Sequence, residues 1–240
     1  MAASAQNDRA IGLTTSNANK WALLGLYVSP TRGEIFVLHS DGIFSFVESQ
    51  GKSGICHLVA GKPKHGLAAW HAWHRDGPAK EACFGFGTLN SLCEDAQANL
   101  LVTDSATRSI RKVDLVLDRV ETVFGNPEIR NNLRTTVPLK DPTHEILAPT
   151  CVLLDNHENM VIVDGGAHRL IKVLKESGDV ETLAGQMKKS GFVDGNASIS
   201  RLYRPFGAVY ASGIGYYVTD SGNNVVRLVS EAGETRTWAG

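Results

Sequence analysis

The sequence predicts an all-β chain in which four-stranded antiparallel blades stack around an axis as a β-propeller. Three observations carry that reading. A phrase recurs, as "VTDSATRSIRK" from Val102, "IVDGGAHRLIK" around Asp164 and "VTDSGNNVVRL" from Val218, which spaces Asp104, Asp164 and Asp220 by 60 and 56 residues. Each unit also ends alike, with "HLVAG" at 57–61, "TVFG" at 122–125, "TLAG" at 182–185 and "TWAG" at 237–240. Between these marks lie short runs rich in Val, Ile, Leu, Tyr and Thr, broken by Gly, Asn and Asp, which is a strand-and-turn grammar. Repeated β units that are apolar on both faces bury both by stacking sheet on sheet around an axis.

Taken in order, the first unit is the most divergent. In "VLHSDGIFSF", His39 stands in the aspartate's place and the turn is two residues shorter. The spacing predicts a poorly ordered segment at 1–20, then a propeller over 21–240 with blades at about 22–61, 84–125, 147–185 and 205–240. In the last unit it predicts strands at about 206–211, 215–219, 225–229 and 234–239. Five residues before the repeat aspartate stand Asn99, Asn159 and Gly215, residue types that tolerate positive φ in a tight hairpin. Nine residues before it stand Asp95 and Asp155, suited to turns closed by their own side chains. Asp104, Asp164 and Asp220 are expected to accept backbone N–H bonds at the next hairpin, a structural role.

Composition narrows the function classes. Of 240 residues 42% are apolar and 20% charged, ordinary for a globular protein, and the formal net charge of −1 removes the case for general attraction to nucleic acid or anionic membrane. Cys56, Cys83, Cys93 and Cys151 show no Cys-x-x-Cys pairing and read as buried thiols. The first twenty residues lack the basic start and apolar run of a signal peptide, and no stretch approaches the roughly 20 apolar residues of a membrane span. A cytoplasmic location and no membrane partner are expected.

The run "TLAGQMKKSGFVDGNASISRLYRPFGAVYASGIGYYVTDSGNNVVRLV" resembles an NHL repeat, a family marked by Ala-Gly, Asp-Gly, Pro-x-Gly, Tyr-Val-x-Asp-Ser-x-Asn and a terminal Arg. Gly185, Asp194, Gly195, Pro205, Gly207, Tyr217, Val218, Asp220, Ser221, Asn223 and Arg227 match it. The 62–125 unit keeps Asp76, Gly77, Asp104, Ser105 and Arg111 but has Gly87 for the proline. The 126–185 unit keeps Pro149, Asp164, His168 and Arg169, loses the Asp-Gly, and has Ile171 for the terminal Arg. The resemblance covers 57–240 well and 22–56 loosely. It implies a ring, commonly of six blades, whereas the chain holds four. Three readings follow: part of a longer propeller, a ring closed at four, or two chains that complement each other.

If the innermost strand of each blade runs from face one to face two, the blade-to-blade connections 62–87, 126–148 and 186–204 lie on face one. They carry eleven basic and six acidic residues, an excess of five, so face one is expected to be mildly basic. The segment "KPKHGLAAWHAWHRDG" adds His65, Trp70, His71, Trp73 and His74; His71 and His74 are spaced like two metal ligands, but no third or fourth ligand is identifiable.

Function divides three ways. A non-catalytic scaffold would present face one to a protein partner, acidic or phosphorylated, with Lys188, Lys189, Arg201, Arg204 and Arg75 orienting it and Trp70 and Trp73 anchoring it. The NHL resemblance implies two alternatives, RNA binding by the basic face and a metal-dependent lyase or hydrolase with its metal in the central channel. The inner strands "LLGLYVS", "TLNSLCED", "PTCVLLDN" and "PFGAVYAS" offer no ring of His, Asp or Glu. No catalytic residue, resident metal or cofactor is expected, and the scaffold reading ranks first.

Overall fold

Every long strand pairs with its neighbour in sequence, so the chain finishes one blade before it starts the next. The computed structural model describes residues 23–39, 42–49, 52–61, 74–85, 89–125 and 145–240. Segment 1–20, His65, Trp70, His71 and Trp73 lie outside the described residues. Blade one is β1 (Leu23–Val28), β2 (Ile35–His39), β3 (Gly42–Ser49) and β4 (Lys52–Ala60), in that order across the sheet. Blade two has a short edge strand β5 (Gly77–Pro78), then β6 (Leu89–Glu94), β7 (Leu100–Asp104), β8 (Ser109–Asp114) and β9 (Arg119–Gly125). Blade three is β10 (Pro149–Leu154), β11 (Met160–Asp164), β12 (Arg169–Val173) and β13 (Val180–Gly185). Blade four is β14 (Pro205–Ala211), β15 (Gly215–Asp220), β16 (Val225–Val229) and β17 (Thr235–Ala239).

The two parities of each strand serve two different seams, since successive side chains leave a sheet on opposite faces. In β7, Leu100 and Val102 pack towards blade one with Phe36, Leu38 and Ile43, while Leu101 packs towards blade three with Ile110, Val152, Ile162 and Ile171. A third seam joins Val161, Val163 and Leu170 to Tyr216, Val218 and Val229. All of these side chains are buried, each worth about 1.5–3 kcal/mol of apolar burial. The inner strands β1, β6, β10 and β14 adjoin in turn, which makes an arc of four blades.

The hairpins at the far end close differently from the expectation. Asn99 and Asn159 do not take the positive φ; the left-handed residues are their neighbours Ala98 and Glu158, at φ 61° and 60°. Each Asn is instead held by the preceding aspartate. The Asn99 amide donates to Asp95 Oδ2 at 2.9 Å and its backbone N–H to Oδ1 at 2.8 Å, and Asn159 repeats both bonds to Asp155 at 2.9 and 3.0 Å. Only Gly215 of the three has positive φ, 127°, and a Cβ there would stand 2.2 Å from the Val229 carbonyl oxygen.

The long connections are also more than loops on face one. Part of 62–87 runs down the outer edge of blade two as β5, paired with Arg119 and Val120, and Gly195 makes the matching bridge to Thr235 on blade four. This covers an edge strand that would otherwise present unpaired backbone. Helical structure among the described residues includes the single 3-10 turns Ala79–Glu81 and Ser221–Asn223, and no helix there is long and apolar enough to cross a membrane.

Candidate functional site

Face one is organised by a buried arginine clamped between two aspartates. Arg227, on the third strand of blade four, is fully buried; Nη1 donates to Asp220 Oδ2 at 3.0 Å and to the Arg201 carbonyl, and Nη2 to Asp194 Oδ1 at 2.5 Å and the Val193 carbonyl. Arg111 of blade two makes the same four contacts, to Asp104 at 3.5 Å, Asp76 at 2.6 Å and the Cys83 and Arg75 carbonyls. The outer aspartates then accept from the blade's fourth strand, Asp76 from Thr122 N–H at 2.9 Å and Asp194 from Thr237 N–H at 3.2 Å. Thus the Asp-Gly of the 62–87 and 186–204 connections ties each of them to the blade it leads into. The repeat aspartates also accept the expected backbone bonds, from Gly85, Leu147 and Tyr203 N–H.

The clamp drifts where the motif drifts. In blade three, Ile171 occupies the arginine's place and Arg169, two residues earlier, reaches Asp164 Oδ2 at 3.6 Å and the Glu145 carbonyl. In blade one, His39 replaces the aspartate and Phe44 the arginine, and the two rings meet edge to face at 5.8 Å.

His74, the weak metal candidate, belongs to this clamp. Its ring faces Thr122 Oγ1 at 3.3 Å and Asp76 at 3.9 Å. Burial, then the nearby Arg111 guanidinium, lower its pKa to about 4 against the opposing pull of Asp76. Burial alone would raise the Asp76 carboxyl, but Arg111 and the Thr122 N–H outweigh it and hold Asp76 below its ordinary range. Two residues before Asp194, blade four has Phe192 in the equivalent place, 5.1 Å beneath the Arg227 guanidinium. His74 is therefore neutral in the fold. Its stabilising contribution is complete above pH 6.5 and is lost as pH falls towards 4, by about 2 kcal/mol after allowing for partial solvation. His74→Phe is expected to raise the melting temperature at pH 5 by several degrees more than at pH 7.5. Equal shifts at the two pH values would show that the imidazole does not titrate with folding.

Several of the predicted basic contacts already have partners. Arg201 turns its Nη1 back onto the Ile199 and Ser200 carbonyls at 2.6 and 2.8 Å, and Arg75 pairs with Glu81 at 3.2 Å. Lys188, Lys189 and Arg204 are exposed, with Lys188 Nζ 3.9 Å from Glu145 Oε1. Lys188 and Arg204 are brought to one place by the blade-three hairpin: Lys188 N–H donates to the Ala167 carbonyl, and Arg204 N–H to His168 Nδ1 at 3.1 Å. The His168 ring lies edge-on to Tyr203 at 5.6 Å. The same connection exposes Phe192 at 56%, Ile199 at 52% and Tyr203 at 40%, apolar side chains that a reading of its charge alone does not register.

A cavity of about 450 Å³ opens along the inner strands of blades two to four, lined by Asn90, Ser91, Thr150, Cys151, Phe206 and Val209 among others. Among the described residues no three His, Cys, Asp or Glu side chains converge as a metal site. All four cysteines are free; Cys83 and Cys151 are buried, while Cys56 and Cys93 are partly so, and burial pushes the Cys93 thiol far up.

No family model and no curated protein matches the sequence. Solved structures match the fold. A protein of unknown function from Bacteroides thetaiotaomicron superimposes with a TM-score of 0.58 at 17% identity, over 89% of this chain and 46% of that one. Virginiamycin B lyase from Staphylococcus aureus, in a catalytically inactive form with quinupristin, gives 0.54 at 12%, over 93% and 57%. An auxiliary nutrient binding protein from Bacteroides ovatus gives 0.55 at 15%, over 91% and 47%. The chain spans about half the length of these structures, and the likeness is one of fold: four antiparallel four-stranded blades arranged as a β-propeller.

Proposed function

We propose that the chain is an NHL-type propeller that docks an acidic or phosphorylated segment of a protein partner on face one, between the tops of blades three and four. The observation that carries this reading is the joining of exposed cations, Lys188 and Arg204, to the exposed Tyr203 ring by way of His168. Cations steer and orient an acidic ligand, while a desolvated aromatic supplies the apolar anchor. The clamps beneath hold this strip on rigid strands, so little ordering accompanies binding. Trp70 and Trp73, in the 62–87 connection, are proposed as further anchors.

The test uses an array of phosphoserine and acidic peptides, followed by fluorescence anisotropy. Lys188→Glu, Lys189→Glu and Arg204→Glu together are expected to weaken the tightest peptide at least about tenfold and to flatten its salt dependence. Glu176→Lys on face two should change neither. Peptides bound equally by the triple variant would remove the reading, and a single-stranded RNA held with a steeper salt slope than any peptide would move the face to nucleic acid.

A further inference from the structure

We propose that the bare faces at the two ends of the arc pack on each other between two copies of this chain, head to tail, closing a ring of eight blades. The argument rests on repeat equivalence along the inner strands. Tyr27, Cys93 and Leu153 hold one position, and each packs into the seam with the following blade; the fourth copy of that position, Val209, is 63% exposed. Leu92, Val152 and Ala208 hold the neighbouring position, and each packs into the seam with the preceding blade; its first copy, Leu26, is 71% exposed.

The second strands repeat the pattern. Leu101 and Val161, three residues before the repeat aspartate, are buried in seams, whereas Tyr217 at that position lies on the outward side of blade four with Val226 and the half-exposed Trp238. Blade four thus ends in a face built like those that blades two and three bury, and blade one begins in the complementary face, with Leu26 and Val28 outward. The contact continues an interface the chain already makes three times. Four strands about 4.8 Å apart and five residues of about 3.3 Å span roughly 300 Å². Two seams therefore hide four such faces, on the order of 1,200 Å², the lower edge of a stable protein interface. A head-to-tail contact of this kind must close or polymerise, and eight blades lie within the range that propellers adopt.

Sedimentation equilibrium of the full chain tests this, with circular dichroism to check folding. The wild type should be a dimer at micromolar concentration. Val209→Arg and Leu26→Arg, at sites exposed in the single chain, should each leave the fold intact and raise the dimer dissociation constant at least about 100-fold, because each buries an unpaired charge. Mixing Val209→Arg with Leu26→Glu chains should restore a heterodimer, since one seam then joins the opposite charges and the other is wild type. A wild-type monomer, whose end faces then stay bare or belong to some other occupant, would overturn the proposal. So would a dimer that survives Leu26→Arg, which would place blade four against blade four, or a concentration-dependent ladder of longer oligomers.

Discussion

Arg227→Ala is expected to lower the unfolding free energy by about 3–5 kcal/mol, a large part of the 5–15 kcal/mol typical of a domain. The guanidinium is fully buried and supplies four hydrogen bonds at once, to two carboxylates and two backbone carbonyls. Its removal leaves Asp220, itself fully buried, with the Tyr203 and Asn223 donors but without its counter-charge. Arg227→Lys does not rescue, because one ammonium cannot span Asp220 and Asp194 with a planar fork. Since each blade of a repeat fold is held chiefly by its neighbours, the loss should appear first as faster amide exchange in residues 205–239. Arg169→Ala should cost less, because among the described residues that side chain makes a 3.6 Å ion pair and one carbonyl bond. Urea unfolding would test the order, and a cost for Arg227→Ala below about 1 kcal/mol would mean that the clamp is not a principal support of face one.

The architecture was legible because the repeat aspartate, the closing glycine and the two-faced strands all point to one unit, and consistency across levels is what specifies a fold. Local turn geometry was less legible. Asn99 and Asn159 have the composition of left-handed residues, but their amides are engaged by Asp95 and Asp155, so positive φ falls on Ala98 and Glu158. Spacing alone does not say which residue of a turn carries the strained backbone.

The clamp was half legible. The terminal Arg is visible as a repeated letter, yet its outer partner Asp194 lies 33 residues away and a pairing across a connection leaves no local period. Aligning the connections on their Asp-Gly would have placed His74 opposite Phe192 and shown it to be a packing position as much as a ligand. On the proposed docking strip, charge counting names Lys188 and Arg204, both exposed, together with Arg201, whose guanidinium bonds its own segment's carbonyls. A count of charges does not record which ones the backbone has already engaged.

Gly185→Ala is expected to cost about 3 kcal/mol or more, and Gly178→Ala only about 1 kcal/mol, although both glycines sit at φ 76°. The shared backbone conformation disfavours any Cβ equally, by roughly 1–2 kcal/mol. The difference lies in what the added carbon meets. At Gly178 nothing stands within 4 Å, whereas at Gly185 a Cβ would be 2.2 Å from the His168 carbonyl oxygen and 3.0 Å from Arg169 Cα. Both of those atoms are backbone, so no side-chain rotation relieves the contact. A Cβ at Gly125 would stand at the same 2.2 Å from the Arg108 carbonyl oxygen, which is why "TVFG" and "TLAG" close their blades with the same letter. The fourth strand must approach the start of the third closely enough for Gly185 to pair with Arg169, and any side chain at that point pushes the two apart. Paired urea titrations of the two variants isolate the term, because subtracting one from the other cancels the conformational cost. If the two substitutions prove equally costly, close strand approach is not what fixes the repeat-ending glycine, and its positive φ alone is the reason.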